Sequence, residues 1–485
     1  MKFSFVYLSP LVLVISLSAS LCEAQDVNAE SKIEKMELDN FEKEKDKALT
    51  RAIDLRSVIE ETLRQNPQEI IRRNRNTLIE INQKNIFENF WLPTVTFDVE
   101  ASNHKYDRVY TSSTMPQSTE NAEAAPSGSY GVKIKEYTLF NWGRDYLDYQ
   151  NQRHALVREK QRLTEQRRRL RFGAIIQYFT LIRTKEIALI KKEQLKQTSF
   201  IHRIAREKFQ LRKIPSTEYY QTRAEYLRAQ TEFQEAQFDV ATEEEKMANI
   251  LADEFKPGYR PSEQLKFTAV KTTADEALKS ILERSPRYRD AKVNYEIAQR
   301  SYEKAVKDNL PLPKFTLDLG SYKRSFGPDG NPWLRETATG RNVEIVASLN
   351  LSWTLIGNGG LLNSRTNQSA YLQKRIAEID YFNTKRELDV KVRTLLRILK
   401  FQEQKILIAD YQIKNARSNF EANLDSYTAG RTSFPQIKLA LDNWILSDIN
   451  AETVKLEHLI KKCELADLMA MDDLPGDNFE ELAEK

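Results

Sequence analysis

Leu92-Pro93-Thr94-Val95-Thr96-Phe97-Asp98-Val99 returns 220 positions later as Leu312-Pro313-Lys314-Phe315-Thr316-Leu317-Asp318-Leu319. In the first copy Val95, Phe97, Val99 and Ala101 fall on one side, and Thr94, Thr96, Asp98 and Glu100 on the other. A period of two is the signature of a strand with one apolar and one polar face. In the second copy Phe315, Leu317 and Leu319 oppose Lys314, Thr316 and Asp318. Each copy has a second such segment. Val132 and Ile134 oppose Lys133 and Lys135 within 131–139. In 343–354, Val343, Ile345, Ala347, Leu349, Leu351 and Trp353 alternate with Glu344, Ser348, Asn350, Ser352 and Thr354, and only Val346 breaks the polar face. Residues 102–129 and 321–342, rich in Ser, Thr, Asn, Gly and Pro, read as the loops between them.

Working outward, the whole chain repeats. Leu55–Pro67 (LRSVIEETLRQNP) matches Ala274–Pro286 (ADEALKSILERSP). Tyr137–Gly143 (YTLFNWG) matches Trp353–Gly359 (WTLIGNG), and Phe209–Glu218 (FQLRKIPSTE) matches Tyr427–Gln436 (YTAGRTSFPQ). The shifts cluster tightly, which marks a duplication. The predicted layout is a signal peptide at 1–24, a charged segment at 25–50, a first repeat at 51–254, a linker at 255–272, a second repeat at 273–470 and an acidic tail at 471–485.

Each repeat reads as helix, strand, loop, strand, very long helix, turn and return helix. The opening helix of the first repeat is predicted over 55–90, with Val58, Ile59, Leu63, Ile70 and Ile71 at helical spacing, and Leu92-Pro93 ends it. From 144 to 214 there is no Pro and a single Gly, Gly173; from 361 to 429 there is neither. At ~1.5 Å per residue each would run about 100 Å. Leu156, Leu163 and Leu170 recur at heptad spacing, so such helices must pack lengthwise on partners. Shorter returns follow at 216–251 and 434–469, after turns at Arg212-Lys213-Ile214-Pro215 and Gly430-Arg431-Thr432.

Composition agrees. Glycine is scarce, 14 in 485 residues, as long helices require. Net charge is +4, so nothing global pulls the chain toward nucleic acid. Two cysteines exclude a disulfide scaffold, and the four scattered histidines argue against a metal site. Lys2, the uncharged apolar run 3–21 and Cys22-Glu23-Ala24 read as a cleavable export signal. The rival is a lipid-bearing Cys22, but Leu21 stands where a small residue is expected. Apart from that run, no stretch approaches the ~20 apolar residues of a membrane helix.

Strands of about ten residues with alternating faces meet the requirement for a membrane β-strand. A small soluble sandwich shows the same alternation. Export and the flanking Trp91, Tyr137 and Trp353 favour the membrane. One chain supplies four strands, and an open edge in lipid leaves backbone groups unpaired. Membrane barrels need at least eight strands, so two, three or four copies would be needed to close eight, twelve or sixteen.

Other signals are weak. Arg167-Arg168-Arg169 with Arg171 reads as a solvated helix face, partly neutralised by nearby Glu. Gly357-Asn358-Gly359-Gly360 fails as a nucleotide loop because Leu362 takes the third glycine position. No HExxH or GxSxG occurs, and no catalysis, cofactor or metal is expected.

Taken in order and twice over, these landmarks resemble the TolC-like outer-membrane efflux proteins across about residues 50–470. They are Asn66-Pro67, Leu92-Pro93, Trp353-Thr354-Leu355-Ile356-Gly357-Asn358-Gly359 and Tyr427-Thr428-Ala429-Gly430. The resemblance implies a mainly α fold with a small β part. Duplicated long-helix hairpins would form a trimeric α-barrel crossing the periplasm. Four strands per chain would complete a twelve-stranded β-barrel in the outer membrane of a Gram-negative bacterium. Lipid would meet Val95, Phe97, Val99, Phe315, Leu317, Leu319, Leu349 and Leu351. The function implied is a passive channel-tunnel of a tripartite efflux or type I secretion system. It would be fed by a periplasmic membrane-fusion adaptor and an inner-membrane pump of RND, ABC or MFS type. The alternative is a periplasm-spanning helical scaffold or adaptor without a pore; the lipoyl-like and β-barrel modules of such adaptors are not evident.

In that family the helix tips form the entrance and meet the adaptor. The matching positions are Leu211, Arg212, Lys213, Thr217 and Glu218, and Ala429, Gly430, Arg431, Thr432 and Ser433. Arg212 stands where the family usually has Gly. Gln436 and Leu439 take the entrance-lining positions that are acidic in well-studied members, which argues against an acidic gate in the second repeat. Glu218 is the matching carboxylate of the first repeat, and copies of it could form a cation-favouring ring.

Overall fold

A computed structural model describes residues 50–112, 115–254, 258–326, 344–352, 364–474 and 478–484. The expected signal peptide, Cys22, most of the charged segment and the 353–360 landmark lie outside the described residues, as does most of the expected 321–342 loop.

Each repeat begins with two helices rather than one. In the first repeat α1 (Leu55–Gln65) and α2 (Pro67–Trp91) divide the predicted 55–90 helix. The reason is local. Pro67 has no N–H to donate and pushes Asn66 into extended backbone (φ −60°, ψ 130°). Asn66 caps α2 by accepting from the Gln68 N–H at 2.9 Å. Its amide also donates to the Ile250 carbonyl at 2.8 Å, fastening the bend to the end of the return helix. The second repeat breaks at Ser285-Pro286, between α5 (Ala274–Arg284) and α6 (Pro286–Asp308). A reciprocal Thr273–Glu276 capping box starts α5.

The four long strands form one antiparallel sheet. Its members are β2 (Val95–Ser112), β3 (Met115–Phe140), β6 (Lys314–Phe326) and β7 (Glu344–Ser352), in the order β2-β3-β6-β7. Residues 102–129, expected as a loop, continue the β2–β3 hairpin almost to its tip, with Ser102 opposite Ser127 and Val109 opposite Thr119. Backbone ladder bonds need no apolar face, so pairing extends past the point where alternation ends.

The long helices are α3 (Arg144–Gln210) and α7 (Ser364–Thr428), with return helices α4 (Ser216–Leu251) and α8 (Phe434–Met469). Leu163 on α3 is buried, and Leu156 and Leu170 are partly so, as the heptad spacing requires. At mid-height Phe172, Ile175, Tyr178, Phe179 and Leu181 of α3 join Leu388, Val392 and Leu399 of α7 and Leu459, Leu465 and Met469 of α8 in the main core. A second core lies near the far tips, where Ile201, Phe420, Tyr427, Phe434, Ile437 and Trp444 meet.

Two small pairings tie the repeats together at mid-height. β1 (Thr50–Ile53) runs parallel to β4 (Gly258–Pro261). β5 (Gln264–Leu265) pairs antiparallel with β8 (Ala483–Glu484) of the tail. The tail is therefore more than an acidic extension. A 3-10 turn at Phe479–Leu482 sinks Phe479 and Leu482 into the main core.

Candidate functional site

The sheet carries an uncovered apolar face. Val95, Phe97 and Val99 are 59%, 66% and 66% exposed. Leu319, Leu349 and Leu351 are exposed as well, whereas Phe315 and Leu317 are half-buried. Register aligns these side chains across strands. Val95 faces Ile134, Phe97 faces Val132, Phe315 faces Leu351 and Leu317 faces Leu349. The other face is polar and internally paired. Lys135 lies 2.9 Å and Lys133 3.7 Å from Asp98. Asp318 accepts from the Asn350 amide at 2.5 Å. The outermost strands, β2 and β7, each pair on one side only.

Aromatic residues gather where sheet meets helices. Phe90 stacks on Tyr149 at 4.7 Å and meets Trp91 edge-on at 5.0 Å. The Tyr137 hydroxyl donates to the Trp91 carbonyl at 3.1 Å, and the Trp142 indole N–H donates to the Pro313 carbonyl at 3.1 Å. Such rings, apolar in body and polar at one end, suit a boundary between lipid and water. Trp91 and Tyr137 were visible in sequence; Phe90, Trp142 and Tyr149 were not singled out.

At the opposite end the two hairpin tips sit side by side. Both long helices close with the same backbone motif. The Lys213 N–H reaches the Lys208 carbonyl at 2.8 Å, and the Arg431 N–H reaches the Ser426 carbonyl at 2.8 Å. The motif needs one left-handed residue, which is Arg212 (φ 56°) in the first tip and Gly430 (φ 74°) in the second. Leu211, Arg212, Lys213 and Thr217 are exposed, as are Ala429, Gly430, Arg431 and Ser433, with Thr432 partly so. Gln436 and Leu439 are exposed on the first turns of α8.

Glu218 is placed differently from its neighbours. It is half-buried and accepts from the Tyr427 hydroxyl of the other tip at 3.4 Å. Lys208 donates to the Tyr427 carbonyl and lies 4.3 Å from the centre of its ring. Burial lowers the Lys208 ammonium below its ordinary pKa, with Glu218 opposing. Burial, then the Glu218 charge, raises the Tyr427 phenol. Lys438 bridges the hairpins again, 2.8 Å from Glu225. Tyr427 belongs to a landmark of the sequence, but its contact with Lys208 escaped sequence reasoning, because it joins residues 219 positions apart.

The arginine run on α3 is engaged rather than simply solvated. Arg168 lies 3.4 Å from Asp472, and Arg169 lies 3.4 Å from Asp467. Arg171 lies 3.5 Å from both Asp473 and Glu480 and donates to the Asp472 carbonyl at 2.7 Å. Beside it, burial pushes the Glu165 carboxyl up to about 7, against the pull of Arg169. Cys463 is buried, and burial pushes its thiol up to about 12, so it is a packing residue. Among the described residues no His, Cys, Asp or Glu group could hold a metal ion, and no helix is long and apolar enough to cross a membrane.

The chain is an antiparallel four-stranded sheet mounted on two hairpins of long helices, a fold that it shares with solved outer-membrane channel structures. Among solved structures it is similar to the outer membrane protein VceC of Vibrio cholerae, with 13% identity and a TM-score of 0.68 over 86% of this chain and 96% of that one. It is also similar to the CmeC outer membrane channel of Campylobacter jejuni (16% identity, TM-score 0.69, 88% of each chain). The open MtrE outer membrane channel of Neisseria gonorrhoeae is a third (13% identity, TM-score 0.65, 87% and 90%). No family model matches the sequence, and no curated protein does.

Proposed function

We propose that the chain is one protomer of a homotrimeric outer-membrane duct, which conducts solutes passively from a periplasmic adaptor and an inner-membrane pump to the outside. The observation that carries this reading is the sheet. It exposes an apolar face, pairs its polar face internally and ends in two strands paired on one side only. In lipid such edges are untenable. Three copies, each joining its β7 to the next copy's β2, would close twelve strands. Apolar side chains also stand exposed along α7, at Leu372, Ile376, Ile379 and Phe382, and along α2, at Ile70, Leu78 and Ile81. Neighbouring protomers would cover these stripes in a helical barrel. The aromatic cluster would mark the periplasmic edge of the bilayer. Leu211, Arg212, Lys213, Thr217 and Glu218 with 429–433 would form the adaptor-facing entrance, and Gln436 and Leu439 would line it.

The duct has no energy source of its own. Opening would be a rearrangement at the tips, biased by whatever contacts them. Native mass spectrometry of the mature protein extracted from outer membranes tests the reading. A trimer that conducts in planar bilayers is the expected result. A soluble monomer or dimer absent from that membrane would overturn it in favour of a periplasmic scaffold.

A further inference from the structure

We propose that α8 lines the passage behind the tips with an uncharged throat, so that the duct admits solutes of either charge sign. This rests on the duct reading above and specifies what that duct lets through.

Gln436, Leu439, Asn443, Leu446 and Asn450 are all exposed on α8. Their alternating spacing of three and four places them on one stripe, about 21 Å long at ~1.5 Å per residue. None of them carries a charge, in a chain of which 30% is Asp, Glu, Lys or Arg. The opposite side of the helix is spent on packing, with Ile437 and Trp444 in the tip core. The nearest charges are spent sideways. Lys438 lies 2.8 Å from Glu225 of α4 and 3.3 Å from Asp442. Glu218, the carboxylate expected to ring the entrance, is turned onto Tyr427.

The linker and the tail show which way the stripe faces. They pack against the long helices at mid-height, and a duct has room for them only on its outside. On α8 the residues that hold the linker are His458, with its ring 5.3 Å from that of Phe267, and Lys462, which donates to the Thr268 hydroxyl at 2.7 Å. Continued at seven-residue spacing, Gln436, Asn443 and Asn450 lead to Glu457 and Glu464, on the side of α8 away from those contacts. The stripe therefore faces inward.

The outward side of α3 shows the contrast. Arg171 donates to the Asp472 carbonyl of the tail, Tyr178 donates to Glu263 of the linker at 3.1 Å, and Lys185 donates to the Tyr259 carbonyl. The next residue at that spacing is Lys192, followed by Lys196 and Arg203, all exposed. Charge is plentiful on the outside and missing from the inward stripe. A ring of carboxylates or ammonium groups in a narrow passage selects one ion sign. Amide side chains offer both donors and acceptors and serve either sign, and leucines serve neither.

Reversal potentials of the full-length assembly in planar bilayers, under a potassium chloride gradient, give the test. The wild type should pass potassium and chloride with similar permeability. Asn443→Asp should shift the ratio toward potassium by about tenfold, and Asn443→Lys toward chloride by a similar factor. Opposite shifts from one position cannot come from misfolding. Lys192→Glu with Lys196→Glu, on the outward side, should leave the ratio unchanged. A wild-type preference of about tenfold or more for one ion overturns the throat. So does an unchanged ratio in both Asn443 variants, or an equal shift from the outward pair. In each of those cases the wild type still conducts and the duct stands. No conductance from the wild type refutes the duct and the throat with it.

Discussion

At the scale of single residues, the duplication can be seen in backbone angles. Arg212 pairs with Gly430, and Ala252 (φ 54°) pairs with Ala470 (φ 57°); all four end long helices in the left-handed region. A side chain there costs about 1–2 kcal/mol, partly offset because glycine loses more freedom on folding. Arg212→Gly should therefore raise stability by about 0.5–1 kcal/mol. Gly430→Ala should lower it by about 1 kcal/mol, although a Cβ there meets nothing within 4 Å. Thermal melting of both variants in one detergent checks the opposite signs. Glu165 offers a pH test. Its folded pKa of about 7 lies above the ordinary 4.5, so the native state holds its proton more tightly than the unfolded chain. The associated stability is fully present below about 4.5 and is lost as pH rises through about 7. Glu165→Gln should melt higher than wild type at pH 8 and indistinguishably at pH 4. A constant difference across that range would contradict the assignment. The turns at 212 and 430 were legible because Gly430 and the flanking Ser, Thr and Pro announce them. The inward posture of Glu218 was not, since its partner Tyr427 lies 209 residues away.

At the scale of elements, helices and strands were read well where a period persisted and poorly where composition had to substitute for it. The α3 and α7 bounds fall within a few residues of expectation because nothing in either stretch interrupts a helix. The opening helix was read as continuous because its apolar period runs on through Asn66-Pro67. The missing N–H of Pro67 and the restricted backbone of Asn66 outweigh that period. The hairpin beyond Glu100 was misread because polar composition imitates a loop. In the tail, six of the fifteen residues are acidic, which hides the three-residue spacing of Phe479 and Leu482. Those two residues make a prediction. Phe479 is fully buried against Phe172, ring centres 5.7 Å apart. Phe479→Ala should cost about 3–5 kcal/mol. Asp473→Asn, which removes one charge from a partly exposed cluster around Arg171, should cost roughly 1 kcal/mol. Urea melts of the two variants would rank them. Equal losses, or a larger loss for Asp473→Asn, would mean that charge rather than burial holds the tail.

At the scale of the whole molecule, the proposed duct needs further copies of the chain to pair the two outer strands of the sheet and to cover the apolar stripes. That requirement follows already from the sequence, where four alternating strands are too few to close a barrel. The mid-height core was not legible, because it draws on α1, α3, α5, α7, α8 and the tail at once, and no local pattern encodes such a meeting. The sheet supplies a test that depends on alternation and needs no partner to be known. Leu349 and Asn350 are neighbours on β7, both exposed, and they face opposite sides. If Leu349 meets lipid, Leu349→Arg places a charge in hydrocarbon at a cost of about 2–4 kcal/mol near mid-bilayer. Multiplied over the copies of a ring, that loss should deplete the protein from outer membranes. Asn350→Arg places the same side chain one residue on, toward the water-filled interior of the proposed duct, where the charge would stay hydrated. It should leave membrane assembly intact and change conductance instead. Fractionation followed by bilayer recording of both variants reads the two outcomes. A soluble sandwich would give the reverse ordering or none, because an exposed arginine costs little on any face that meets water.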